Sequence, residues 1–320
     1  MMLQSETIGP LSHDAPAAAP EPLPEVTILR PLRGWEFLNL RELWRYRELV
    51  FVLAWRDVKV RYKQTVLGAA WAVLQPAMMM IVFTIFFNNI AGADGADYPA
   101  FVYAGLIPWT FFAGAVGTAA QSVLGSERLI TKIYFPRLAL PFAAVAAATL
   151  DSLIAFGLLV PLMIWYGKAF TWSLLLLPLI YVFIVLAAAG VGALLAGLHV
   201  SYRDFRYVTP FLLQLWMFAT PTIYMDPSNP NHAARQAHLQ TATEAPSADA
   251  PQPQIERSDT YWLLRELNPM TGLVGAFRSA CFGSPLDGGS LARSATFAIG
   301  LFLVGCLYFR KVEGRFGDVI

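Results

Sequence analysis

The sequence predicts an all-α polytopic membrane protein: six transmembrane helices, with an N-terminal amphipathic interface helix before the first span and two short re-entrant helices before the last. Three observations carry this reading. Hydrophobic residues make up 56% of the 320 positions and charged residues only 14%, which lies outside the soluble range. The apolar residues gather in uncharged runs, the first of which, Val66 to Ile90, has 25 residues without a charge, where about 20 suffice to cross a bilayer core. Lys and Arg cluster in alternate connections, so one set of loops is basic and the other is not.

In chain order, residues 1–27 form an Ala/Pro-rich tail with neither a basic start nor an apolar stretch, and they are expected to stay cytoplasmic and disordered. Residues 28–65 form an interface segment. Within it Leu40, Leu43, Trp44, Val50, Phe51, Ala54, Trp55, Val58 and Tyr62 recur at helical spacing, with Arg41, Arg45, Arg56 and Lys59 on other faces and Arg61 beside Tyr62. Residues 66–320 hold the transmembrane domain, with spans at about 66–90, 100–124, 138–166, 172–198, 207–224 and 291–309.

The second span carries Gly105, Pro108, Gly114 and Gly117, which predict a broken or closely packed helix. The connection Ser126 to Arg137 is short and basic, and Ser126 is placed to cap a helix of about two turns ending at Pro136. Asp151 sits near the middle of the third span, where an ionisable group either serves function or is hydrogen-bonded between helices, and no other span offers an evident cationic partner. The fourth span contains GVGALLAG for close packing. His199 follows as an interfacial residue rather than a metal ligand, because no second ligand lies at helical spacing. An extracytoplasmic insertion at about 226–260 has disordered composition, and two apolar pieces at about 261–283, divided by Asn268 and Pro269, are each too short to span.

Of the 23 Lys and Arg residues, nine fall before residue 66, and eight more occupy the connections at 126–137 and 203–206 and the C-terminal tail. That bias predicts both termini in the cytoplasm. The net charge of +1 offers no nucleic-acid surface, and two cysteines, Cys281 and Cys306, are too few for a disulfide framework. No phosphate-binding loop, HExxH, CxxC or GxSxG occurs, so no metal, cofactor or catalytic engine is expected on this chain, and its energy must come from a partner or an ion. Asp151 alone, without an inverted repeat, argues against ion coupling. What remains is a basic face suited to docking a second protein.

Four blocks in order then carry a resemblance: Trp55 to Pro76, Glu127 to Pro141, Arg203 to Tyr224 and Asn268 to Arg278. Together they resemble the ABC-2 type permeases of polysaccharide exporters, which carry O-antigen, capsule or teichoic acid chains across the bacterial cytoplasmic (inner) membrane. The resemblance implies a homodimer that binds two copies of a separate ATPase, with ATP and Mg held there. It implies that Glu127, Arg128, Thr131, Lys132, Tyr134, Phe135 and Arg137 form the ATPase-coupling segment, the charged members steering docking and the aromatics anchoring it. By the same resemblance Trp44, Trp55, Arg56, Lys59, Arg61 and Tyr62 belong to an interface helix, the first and fifth spans line a tunnel, and Asn268, Pro269, Phe277 and Arg278 belong to a gate. The tail before Val26 and the insertion around 229–258 match no feature of that family.

A sugar polymer presents CH faces that stack on aromatic rings and hydroxyls that need hydrogen bonds. Trp71, Phe83, Phe86 and Phe87 on the first span, with Phe211, Trp216, Phe218 and Tyr224 on the fifth, are placed either to supply such a surface or to face lipid and neighbouring helices. One rival keeps the class and changes the cargo to a drug or lipid. Another makes the chain a membrane enzyme acting on lipid-linked sugars, for which the scattered His13, His199, His232 and His238 give no centred site.

Overall fold

A computed structural model describes residues 40–91, 97–168, 171–222 and 267–316. Among them every regular element is helical: α1 Leu40–Arg45, α2 Arg47–Tyr62, α3 Ala70–Ala91, α4 Tyr98–Ser122, α5 Glu127–Ile130, α6 Ala139–Trp165, α7 Leu177–Ser201, α8 Phe205–Ala219, α9 Pro269–Phe282 and α10 Gly288–Glu313. Among the described residues four segments are long and apolar enough to cross a membrane: α4, α6, Trp172–Ser201 (a 3-10 turn leading into α7) and α10.

α4 is the central helix. In its most apolar window 72% of residues are buried, against 28% for α10, and α6, α7, α9 and α3 pack around it. It runs unbroken through Pro108, so of the two expectations, a broken helix or a closely packed one, the second describes it: buried neighbours hold both sides of the proline, and Thr110 bonds back to the Leu106 carbonyl at 2.8 Å. Alanines dominate the contacts of α4, α6 and α7. Small side chains let helix axes approach closely, which is what drives association where lipid removes the hydrophobic difference. The tightest crossing is α7 on α10, where Gly190 faces Gly305 and a Cβ on either would strike backbone.

The first apolar run does not continue the basic helix before it. Gln64 (φ 65°) and Gly68 (φ 51°) take left-handed backbone, which breaks helical hydrogen bonding, so α3 starts at Ala70 rather than Val66. α8 stops at Ala219 because Pro221 disfavours helical backbone at Thr220. α9 begins at Asn268, whose Oδ1 accepts from Met270 N at 3.0 Å, with Pro269 at its first position and Gly283 (φ 64°) closing it. α10 starts earlier than the hydropathy suggests, since Asp287 accepts from Ser290 N at 3.1 Å and draws polar residues into the helix.

Leu53 and Ala54 of α2 are buried with Leu140 and Ala143 at the start of α6, while Arg61 reaches Asp151 further along. α2 therefore runs beside the first half of α6. Its apolar residues are not confined to one stripe: Phe51, Val52, Trp55 and Val60 are exposed on faces away from Leu53 and Ala54.

Candidate functional site

Three groups of side chains stand out: one at the end of the bundle bearing the basic connections, one halfway along it and one at the opposite end.

At the basic end, α5 is a single turn, shorter than the two turns its sequence suggested, and Ser126 gives no side-chain cap. Glu127, Arg128, Thr131, Lys132, Ile133 and Tyr134 are exposed, and residues 130–137 enclose a cleft of about 250 Å³. Phe135 points the other way. It is buried among Leu53, Val123, Leu138 and Phe309. Arg137 borders the cleft and reaches inward from it: it donates to the Glu313 carbonyl at the end of α10 and lies 5.8 Å over the Phe316 ring. His199 is buried too, its Nε2 2.9 Å from Thr209 Oγ1 where α7 meets α8.

Halfway along α6, Asp151 has the cationic partner that the spans themselves did not offer. Arg61 Nη1 pairs with Asp151 Oδ2, and the Tyr62 hydroxyl donates to Oδ1. Burial pushes the Tyr62 hydroxyl above its ordinary pKa, with the Arg61 charge pulling the other way, so it stays a proton donor. The trio borders a cavity of about 480 Å³ that Trp71, Gln75, Trp109 and Ser152 also line. A neighbouring cavity of about 470 Å³, lined by Arg56, Asp57, Arg61, Gln121 and Ser126, continues toward the basic end. On α2 and before it, Lys59 lies over Trp55 and Arg47 over Trp44, each at 5.7 Å.

At the opposite end, Arg278 is 7% exposed and donates to three backbone carbonyls, Phe101 (3.2 Å), Pro221 (2.6 Å) and Thr222, with its guanidinium 3.9 Å over the Phe101 ring. Gly105 is what makes room for it, since a Cβ there would strike the guanidinium. Asn268 accepts from Trp216 Nε1 at 2.9 Å and donates to Thr220 Oγ1 at 2.8 Å and to the Ala219 carbonyl at 3.3 Å. The carbonyl end of α8 is thereby tied to α9. Phe277 is fully buried, 5.4 Å from Phe156, and Lys168 bridges to Asp97.

The aromatic set divides. Trp71 and Phe86 on α3, and Phe211 and Phe218 on α8, are exposed. Phe83 is half-buried against Tyr98, Val102 and Leu106, and Trp216 is committed to Asn268 and to an edge contact with Phe112 at 5.1 Å. Tyr224 and the Phe87 side chain lie outside the described residues, as do the tail, the insertion and the first of the two short apolar pieces. Sequence reading missed the Arg61 partner of Asp151. An arginine standing immediately ahead of an apolar run was the available signal.

The described residues thus form a helical bundle in which four segments are long and apolar enough to cross a membrane and pack beside a cavity bordered by Arg61, Tyr62 and Asp151. A family profile for the ABC-2 type transporter matches residues 48–237, and the chain belongs to that family. It is similar to the O-antigen export system permease protein RfbA of Myxococcus xanthus, 31% identical over 282 residues that cover 88% of this chain and 98% of the relative. An RfbA of the same description from Klebsiella pneumoniae is 23% identical over 85% of this chain and 95% of the relative. The polysialic acid transport protein KpsM of Escherichia coli is 23% identical over 81% and 91%.

Proposed function

We propose that this chain is the membrane permease of an ATP-driven exporter that carries a lipid-linked polysaccharide, in the first place O-antigen chains, across the bacterial inner membrane. The observation that carries the reading is the match over nearly the whole length of a relative named for O-antigen export, on a chain whose described helices form a membrane bundle. The chain is a transport subunit. ATP and Mg belong to a separate ATPase, two copies of which bind a homodimer of this chain at Glu127 to Tyr134, on the cytoplasmic side with both termini. α3 and α8 complete a set of six spans and turn Trp71, Phe86, Phe211 and Phe218 toward the sugar path between the two copies. Their exposure on a single chain supports that arrangement. α9, held by Asn268 and Arg278, stands at the outer end of the path as its gate.

The relative named for polysialic acid favours capsule as the second cargo. Deleting the gene and restoring it on a plasmid tests both. Loss and recovery of the O-chain ladder at the cell surface, with co-purification of an ATPase, is the expected result. An intact ladder in the deletion strain, with capsule lost instead, would move the cargo to capsule, and no change in either polymer would refute polysaccharide export.

A further inference from the structure

The cavity between α2, α3, α4 and α6 belongs to one chain; Trp71, at the edge of the exposed face of α3, reaches it, whereas Phe86, Phe211 and Phe218 do not line it. Its volume of about 480 Å³ falls within the roughly 300–1,000 Å³ of small-ligand pockets. Asp151 stands 12 residues into α6, about 18 Å along the helix, where ionisable groups are costly and are kept facing protein or a watered cavity on a substrate route. The lining is mixed, with Met79, Phe111, Ala113 and Ala148 supplying apolar wall beside a polar side. Trp71, half-exposed, and Trp109 present aromatic faces, Gln75 brings an amide that both donates and accepts, and Arg61, Tyr62 and Asp151 stand at one wall.

Charge selects among polar ligands. Arg61 is already neutralised by Asp151, so a phosphate entering here meets the carboxylate as well as the guanidinium and gains little. A neutral polyhydroxylated ring meets no such opposition. The carboxylate keeps lone pairs and the guanidinium keeps N–H groups beyond the contact they share, and both suit hydroxyls while an indole face suits the CH side of a pyranose. We propose that this cavity is a sugar-binding site that holds a short stretch of neutral sugar units of the cargo inside each copy of the chain, an inference that rests on the polysaccharide reading above.

The test places a photo-reactive benzoylphenylalanine at Gln75, at Phe211 on α8, or at Leu153, which is exposed on α6 and does not line the cavity. Each variant is expressed with its ATPase partner in cells making the polysaccharide, irradiated, and probed with antiserum against the glycan. Glycan conjugates at Gln75 and Phe211 but not at Leu153 are expected, and Trp71→Ala should lower conjugation at Gln75 by about tenfold. Conjugation at Phe211 without any at Gln75 overturns the cavity site and leaves the export reading standing. Glycan at none of the three overturns both. A phospholipid adduct alone at Gln75, or equal glycan at Leu153, also overturns the site.

Discussion

Arg61, in the last turn of α2, forms an ion pair with Asp151, near the middle of α6, and the two side chains retain 33% and 23% of their exposure. The charge that looked isolated within the third span is thus answered from outside the spans, by a helix that runs alongside.

Removing one member of the pair strands the other. Breaking a fully buried pair costs about 3–5 kcal/mol. Partial exposure discounts this, and Arg61→Met or Asp151→Leu alone should each cost about 1–2 kcal/mol. The double variant should melt above either single one in detergent, because neither charge is then left unpaired. A double variant less stable than both singles would mean that the two side chains act independently rather than as a pair.

Phe135 and Tyr134 should separate cleanly. Phe135→Ala opens the buried cluster at the basic end and should cost about 3–5 kcal/mol of stability, seen as lower yield and melting temperature. Tyr134, 65% exposed, should leave folding unchanged when replaced by Ala and should weaken ATPase co-purification roughly 30-fold, about 2 kcal/mol. Equal effects of the two variants on folding would contradict the opposed directions of these side chains.

Arg278→Lys keeps the charge but cannot reach three carbonyls at once, since a single ammonium replaces a planar fork of donors. Export should fall at least tenfold, about 1.4 kcal/mol at the rate-limiting step, while ATPase binding at the other end of the molecule is retained. Measuring surface polysaccharide beside co-purification checks this. Parallel loss of both would make Arg278 a general folding residue.

Glycine positions in the bundle should differ sharply. Gly305→Ala drives a methyl into the Gly190 carbonyl, and overpacking of that kind costs about 1–3 kcal/mol. At Gly114 a methyl meets nothing within 4 Å, so Gly114→Ala should be neutral or stabilise by up to about 1 kcal/mol through helix propensity. Thermal melts of the two variants decide it.

Orientation can be read with little background, because Cys281 and Cys306 are both buried. An impermeant thiol reagent applied to intact spheroplasts should label Asp287→Cys and leave Arg128→Cys unmodified. The reverse pattern would invert the proposed topology.

The long apolar helices were legible because each reports itself through local composition: α4, α6, α7 and α10 fall within a few residues of the expected spans. What was not legible depended on distance along the chain. Tyr62 and Asp151 are separated by 89 positions, and Trp216 and Asn268 by 52, so neither partnership leaves a periodic mark. Phe135 and Arg137 lie in the segment that the resemblance assigns to ATPase coupling, and their ties to the bundle, Phe135 by burial and Arg137 through the Glu313 carbonyl, leave no mark in the composition of a short connection. Trp216 illustrates the same limit: its aromatic character was plain, whereas the hydrogen bond that commits its indole to α9 was not.

The Arg137 contact with the end of α10 gives that helix a mechanical character. α10 spans 26 residues, about 39 Å of unbroken helix, and it is gripped at both extremes: by Arg137 at Glu313, and near its start by α9, where Gly272 lies against Ser290 and Ser294. α9 in turn holds the end of α8 through Arg278. A hydrogen-bonded column of that length behaves as a strut, so a tilt imposed at the basic connection is also a tilt at the far rim, delivered without passing through α6 or the charged cavity beside it.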